Sequence, residues 1–151
     1  DYLIVDLPPG TGDVPLTLCQ LLPITGAVVV ATPQQVALDD AIRAVRMFQQ
    51  LGVHVLGLVE NMSYMVSPDG QELDIFGRGG AERAAQELSL PFLGSLPLFP
   101  ELRVNSDAGN PTANFEGTPK LAEALNSLAR TLAAQVSLRN MQGSGPQFTV
   151  S

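Results

Sequence analysis

Short aliphatic runs alternate along this chain with longer stretches in which apolar residues recur every three or four positions. The runs are Tyr2–Val5 (within a strand predicted over 2–7), Gly26–Ala31 (GAVVVA), Val53–Val59 and Pro91–Leu96. Each is nearly free of polar alternation and bounded by Pro, Gly or polar residues, the pattern of a strand buried on both faces. Between them, Leu16, Cys19 and Leu22 predict a helix that Asp13 caps and Pro23 stops. Leu38, Ile42, Val45 and Phe48 share one face of a helix predicted over 38–51, closed by Gly52. Shorter helices are predicted over 81–88 and 101–108. Leu121, Leu125, Leu128, Leu132 and Val136 stripe a long helix with Thr118 as its cap and Pro119 at its first position. Strand and helix alternation indicates an α/β fold with a mostly parallel, doubly wound sheet. Ser67-Pro68-Asp69-Gly70 predicts a β-turn joining a short hairpin within 63–76, and 109–117 reads as a polar loop. Periodicity fades after Arg139, so residues 1–137 read as one domain part and 138–151 as a flexible tail.

Composition narrows the function classes. With 151 residues the chain can bury a sizeable core. A formal net charge of −7, with Lys120 the only lysine, argues against a nucleic-acid surface, which needs clustered basic residues. No apolar run approaches the ~20 residues of a membrane span. A single cysteine, Cys19, excludes an internal disulfide and fits a reducing cytoplasm. Its place on an apolar helix face reads as a buried structural thiol. His54, the only histidine, has no metal-ligand company and reads as structural or exposed. Asp39 and Asp40 read as favouring the positive end of their helix rather than as catalytic acids.

The chemistry concentrates in Asp1–Asp13 (DYLIVDLPPGTGD). An apolar strand ends at the carboxylate of Asp6, and the Pro8-Pro9-Gly10 turn follows. Ligands of open α/β sheets sit at the carboxyl ends of strands. A carboxylate there, next to a glycine whose amide can approach closely, suits a Mg²⁺-bound nucleotide phosphate. A strand-end Asp that merely caps a loop is the alternative.

This stretch resembles the Walker B strand and switch loop of the deviant P-loop ATPases, the group of MinD, ParA and the nitrogenase iron protein. Within that group the chain is similar to the Mrp/ApbC family of iron–sulfur cluster carrier ATPases. The narrower match rests on Ala31-Thr32-Pro33-Gln34, Val59-Glu60-Asn61-Met62-Ser63-Tyr64, Ile75-Phe76-Gly77-Arg78-Gly79-Gly80 and Leu93-Gly94-Ser95-Leu96-Pro97-Leu98. It runs from Asp1 to about Leu132. The resemblance implies an ATP-hydrolysing homodimeric switch that serves iron–sulfur cluster assembly or recipient proteins. It implies ATP and Mg²⁺ as cofactors, with Asp6 orienting a Mg²⁺-bound water and Gly10 donating its amide toward the γ-phosphate. Asn61 would read the adenine edge, with a turn-forming Asn as the alternative. Pro97, within Leu96-Pro97-Leu98-Phe99-Pro100, would flank the ring. Arg103 matches a family arginine near the nucleotide, and a solvated helix arginine is an equal alternative. Gly77–Gly80 could bind an anion at a helix start, but a close turn fits better because the phosphate site is assigned elsewhere.

Two departures qualify the match. The family pattern N-M-S-Y-F-x-C-P-x-C-G carries two cluster-binding cysteines, whereas Ser67 and Gly70 stand at those positions here. A Ser hydroxyl is a poor substitute for thiolate, so the cluster is implied by the family while its ligands are absent. Members lacking the pair exist, and a cargo-free MinD/ParA-like switch binding a protein partner is the competing reading. No G-x-x-x-x-G-K-[ST] loop occurs either. The chain therefore reads as the C-terminal part of a larger ATPase domain, lacking the phosphate-loop strand and expected to show no hydrolysis alone. That strand would lie between the 2–7 and 26–31 strands, so a gap there, a partner chain filling it, or missing N-terminal residues is expected.

Overall fold

The computed structural model describes residues 2–8, 12–67 and 69–142. Helix α1 (Asp13–Leu21) leads to strand β1 (Ala27–Ala31), helix α2 (Gln35–Gln50) and strand β2 (Val55–Glu60). A two-residue-per-strand hairpin follows, β3 (Met65–Val66) and β4 (Glu72–Leu73), then helix α3 (Gly80–Glu87) and strand β5 (Phe92–Ser95). Helix α4 (Pro100–Asp107), a 3₁₀ turn (Pro111–Phe115) and helix α5 (Pro119–Met141) complete the order. The main sheet is parallel in the order β1-β2-β5, and β3 pairs with β4 antiparallel.

Every residue of β2 is buried, as expected of a central strand covered on both faces. The register pairs Val29 with Leu58 and Ala31 with Glu60. Val29, Ala31 and Leu58 join Leu38, Ala41, Val45 and Phe48 of α2 and Ala81, Ala84 and Ala85 of α3 in one core cluster. Small alanines let α3 lie close to the sheet. Helix α5 packs on β5 and β2, and its Leu121 is almost fully buried.

The 2–7 strand is not formed. Residues 2–8 carry no sheet pairing, and Tyr2, Leu3, Ile4 and Val5 are 64%, 90%, 80% and 49% exposed. A parallel strand is held by its neighbours' hydrogen bonds, and no described strand stands beside this run. With no strand at 2–7 there is no gap between two strands; β1 is instead an open edge among the described residues, with Val30 58% exposed, while Leu7 still packs against the core cluster.

Several boundaries also move. Helix α1 begins at Asp13 with Gly12 as its N-cap, so Asp13 lies in the first turn and caps nothing. Helix α2 begins at Gln35, which leaves Asp39 and Asp40 a turn inside. There Asp39 accepts from Gln35 and Asp40 pairs with Arg43. Thr118 makes no side-chain cap; its hydroxyl donates to Glu101 Oε1 at 3.0 Å. Helix α5 runs through Met141, past Arg139. The loop 109–117 contains a 3₁₀ turn anchored by buried Asn114, whose Oδ1 accepts from Asn105 Nδ2 at 2.9 Å. No helix of the described residues is long and apolar enough to cross a membrane.

Candidate functional site

The carboxyl ends of β1, β2 and β5 make one rim, and main-chain hydrogen bonds lace it together. Asn61 N–H donates to Ala31 O at 2.8 Å, tying the end of β2 to β1. Leu96 N–H donates to Glu60 O at 2.8 Å, Ser63 N–H to Leu96 O at 3.0 Å, and Leu98 N–H to Tyr64 O at 2.7 Å. The segments following β2 and β5 thus run side by side, with Asn61 and Pro97 on the same rim. Asn61 is half-buried, and its Oδ1 accepts the Met62 N–H at 3.0 Å. Among the described residues its NH₂ group makes no hydrogen bond. Met62 sits at φ 56°, a left-handed conformation seldom adopted by a side chain of this kind.

Beneath Asn61 lies an acid whose role sequence reading did not assign. Glu60 is 1% exposed. Its Oε1 accepts from Ser63 Oγ at 2.6 Å and from Gly79 N–H at 2.8 Å, and its Oε2 accepts from Ala81 N–H at 2.9 Å. The first amides of a helix have no intrahelical partner, and α3 has no side-chain cap of its own. Glu60 supplies the missing acceptor from across the sheet. The close turn expected of Gly77–Gly80 is present, since Gly79 adopts φ 75°. A Cβ on Gly80 would meet Leu38 Cδ1 at 2.6 Å and Pro33 O at 2.8 Å. The anion at this helix start is the protein's own.

The other expected site residues lie differently. Asp6 and Pro8 sit on the exposed, unpaired 2–8 segment. Among the described residues no hydrogen bond or strand pairing joins Asp6 to Asn61 or Pro97. Gly10 lies outside the described residues. Pro97 is fully buried, so its ring shapes the rim from below and presents no open face to a base. Arg103 is on the outer side of α4, with Nη1 2.8 Å from Asp107 Oδ2 and both side chains largely exposed. His54 is exposed.

The family model described as ParA: NUBPL iron-transfer P-loop NTPase matches residues 1–133. The chain belongs to that family. An iron-sulfur cluster carrier protein of Deinococcus radiodurans is 52% identical over 151 residues, covering 99% of this chain and 43% of the relative. The chain thus spans well under half the length of that curated relative. A nucleotide-binding protein from Archaeoglobus fulgidus, solved in complex with ADP, superposes with a TM-score of 0.68 at 39% identity, covering 82% of this chain and 50% of that one. The cell-division ATPase MinD of Pyrococcus furiosus has a TM-score of 0.54 at 22% identity over 73% of this chain and 43% of its own, a likeness of fold.

The hairpin of β3 and β4 adjoins this rim through the bridge between Met65 and Leu98. The turn predicted at 67–70 is present: Gly70 N–H donates to Ser67 O at 2.9 Å, Ser67 N–H to Gln71 O at 2.9 Å, and Gly70 has φ 84°. Ser67 Oγ lies within hydrogen-bond reach of both Asp69 Oδ1 and Gln71 O and donates its one hydrogen to either. The Ser67 hydroxyl holds the Asp69 carboxyl below its ordinary value. Arg78 lies 4.3 Å over the Tyr64 ring and 2.6 Å from Glu72, fastening the hairpin to the glycine loop. Neither position 67 nor position 70 offers sulfur. Cys19 sits half-buried against the core, where burial pushes its thiol up. Among the described residues no group of three His, Cys, Asp or Glu side chains could hold a metal ion. The hairpin therefore does not fit a thiolate-bound iron–sulfur cluster.

Proposed function

We propose that the full-length protein is an ATP-binding and ATP-hydrolysing carrier or assembly factor for iron–sulfur clusters, working as a homodimeric switch. The observation that carries this reading is the family match over residues 1–133, joined to a sheet rim that holds Asn61 with its carboxamide NH₂ available. The Archaeoglobus relative, solved in complex with ADP, supports nucleotide binding.

In this reading Asn61 hydrogen-bonds the adenine edge, and Pro97 fixes the backbone that borders it. Leu96, Leu98 and Phe99, each half-buried, offer the apolar surface that Pro97 does not. Asp6 is exposed and can give the single carboxylate that a magnesium ion needs when the nucleotide phosphates supply its other ligands. Asp6 reaches this position once residues 2–7 enter the sheet beyond a phosphate-loop strand at the open edge of β1. Gly10 then directs its amide at the γ-phosphate, and the 8–13 loop reports nucleotide state. Arg103 can join the site only by leaving Asp107.

The cluster is cargo here, and its sulfur ligands lie outside the 61–71 hairpin. The test is anaerobic reconstitution of the full-length protein with iron and sulfide, followed by transfer to an apo acceptor. Cluster uptake and nucleotide-dependent transfer are expected. A protein that binds ATP yet never takes up iron favours the second reading, a cargo-free switch acting on a protein partner. That reading rests on Ser67 and Gly70, which replace both thiols.

A further inference from the structure

We infer that Glu60 is a positioning residue for base recognition, acting through Ser63 and the Asn61–Met62 turn. This rests on the proposed role of Asn61. Asn61 follows Glu60 directly, and the turn after it is unusual: Met62 holds φ 56° and donates its N–H to the Asn61 side chain. That arrangement orients the carboxamide through its oxygen. A non-glycine residue in the left-handed region persists only where its surroundings fix it. Here both sides of Met62 are fixed. On one side Asn61 N–H is bound to Ala31 O. On the other, Ser63 N–H is bound to Leu96 O while its hydroxyl donates to Glu60 Oε1.

Glu60 is itself immobilised from a third direction. The Gly79 and Ala81 amides hold its two oxygens, so the start of α3 sets where Ser63 Oγ, and hence the turn, can lie. Ser63 is 1% exposed. The carboxyl group thus joins three segments, 61–63, 79–81 and the end of β2, around the residue proposed to read the base. A purely structural role would make Glu60 matter for folding alone. A positioning role makes it matter for which base is bound.

The experiment measures equilibrium affinity for ATP and for GTP in the full-length protein, comparing Asn61→Ala, Glu60→Gln and Ser63→Ala. Glutamine keeps the shape of Glu60 but has one acceptor oxygen for three donors. Simple loss of folded protein lowers both affinities alike, so the ATP-to-GTP ratio isolates positioning. Asn61→Ala is expected to abolish the preference for ATP. Glu60→Gln should cut it about tenfold and Ser63→Ala about threefold, the size expected for losing one hydrogen bond. If Asn61→Ala erases the preference while Glu60→Gln and Ser63→Ala retain it in full, the inference is overturned. If Asn61→Ala itself changes nothing, base reading by Asn61 falls, and the inference with it. Should Glu60→Gln not fold, Ser63→Ala decides by the same ratio.

Discussion

Glu60 Oε2 accepts the main-chain N–H of Ala81 at 2.9 Å, so a strand end caps a helix that begins twenty residues later. The contact ties the central strand to the glycine loop and leaves α3 without need of a local cap. Removing the Glu60 carboxyl leaves three donors without this acceptor, Ser63 Oγ–H and Ala81 N–H buried and Gly79 N–H half-buried. Glu60→Ala is expected to cost about 3 kcal/mol, from unsatisfied buried donors and the lost cap. Urea unfolding of the variant beside wild type checks this, and a loss under about 1 kcal/mol would contradict the burial argument.

The glycine loop makes a separate prediction. At Gly80 there is no room for a methyl group, because Leu38 Cδ1 and the Pro33 carbonyl already fill the space. Gly80→Ala should therefore destabilise by roughly 1–3 kcal/mol through overpacking. Gly109→Ala is the comparison, since a Cβ there meets nothing within 4 Å and only its φ of 70° opposes the change. That variant should cost about 1 kcal/mol, the usual left-handed penalty. Thermal melts of the two variants rank them.

Asp69 gives a pH dependence with a definite sign. The Ser67 hydroxyl favours the charged carboxyl, so its folded pKa lies below the ordinary value of 3.8. A depressed acid stabilises the turn above the unfolded pKa and loses that contribution as pH falls through the folded one. The hairpin turn should be unaffected at neutral pH and loosen only in acid. An NMR titration of the Asp69 carboxyl should show a lowered midpoint that Ser67→Ala returns toward 3.8. An unchanged midpoint in Ser67→Ala would show that the hydroxyl is not the cause.

Much of this fold was legible because local and tertiary signals agree. GAVVVA and GLVE are aliphatic runs with no polar face, and they became β1 and the fully buried β2. Ser67–Gly70 announced the hairpin by turn chemistry alone. The 2–7 run carried an equally clear strand pattern yet stayed unpaired and exposed, because a strand's formation depends on a neighbour that its own residues do not encode. The site was legible in part. Asn61 could be placed from the end of its strand. Glu60 could not be seen in advance, since its partners are amides at positions 79 and 81 and amides leave no mark in a sequence. A signal did exist: an acid closing an aliphatic strand, and a glycine-rich helix start with no Ser, Thr, Asp or Asn to cap it. Thr118 misled for the converse reason. It has the right chemistry for a cap, yet its hydroxyl reaches Glu101 and accepts from no helix amide.

The account depends on a nucleotide sitting at the rim that carries Asn61, with Asp6 brought beside it. Calorimetric titration of the full-length protein with ATP and magnesium, in wild type and in an Asn61→Ala, Asp6→Asn double variant, addresses this directly. Wild type should bind, and the double variant should bind at least about tenfold more weakly, as expected for losing two hydrogen-bonding or charged contacts. Equal affinity in the two proteins would contradict the account, because the nucleotide would then lie elsewhere.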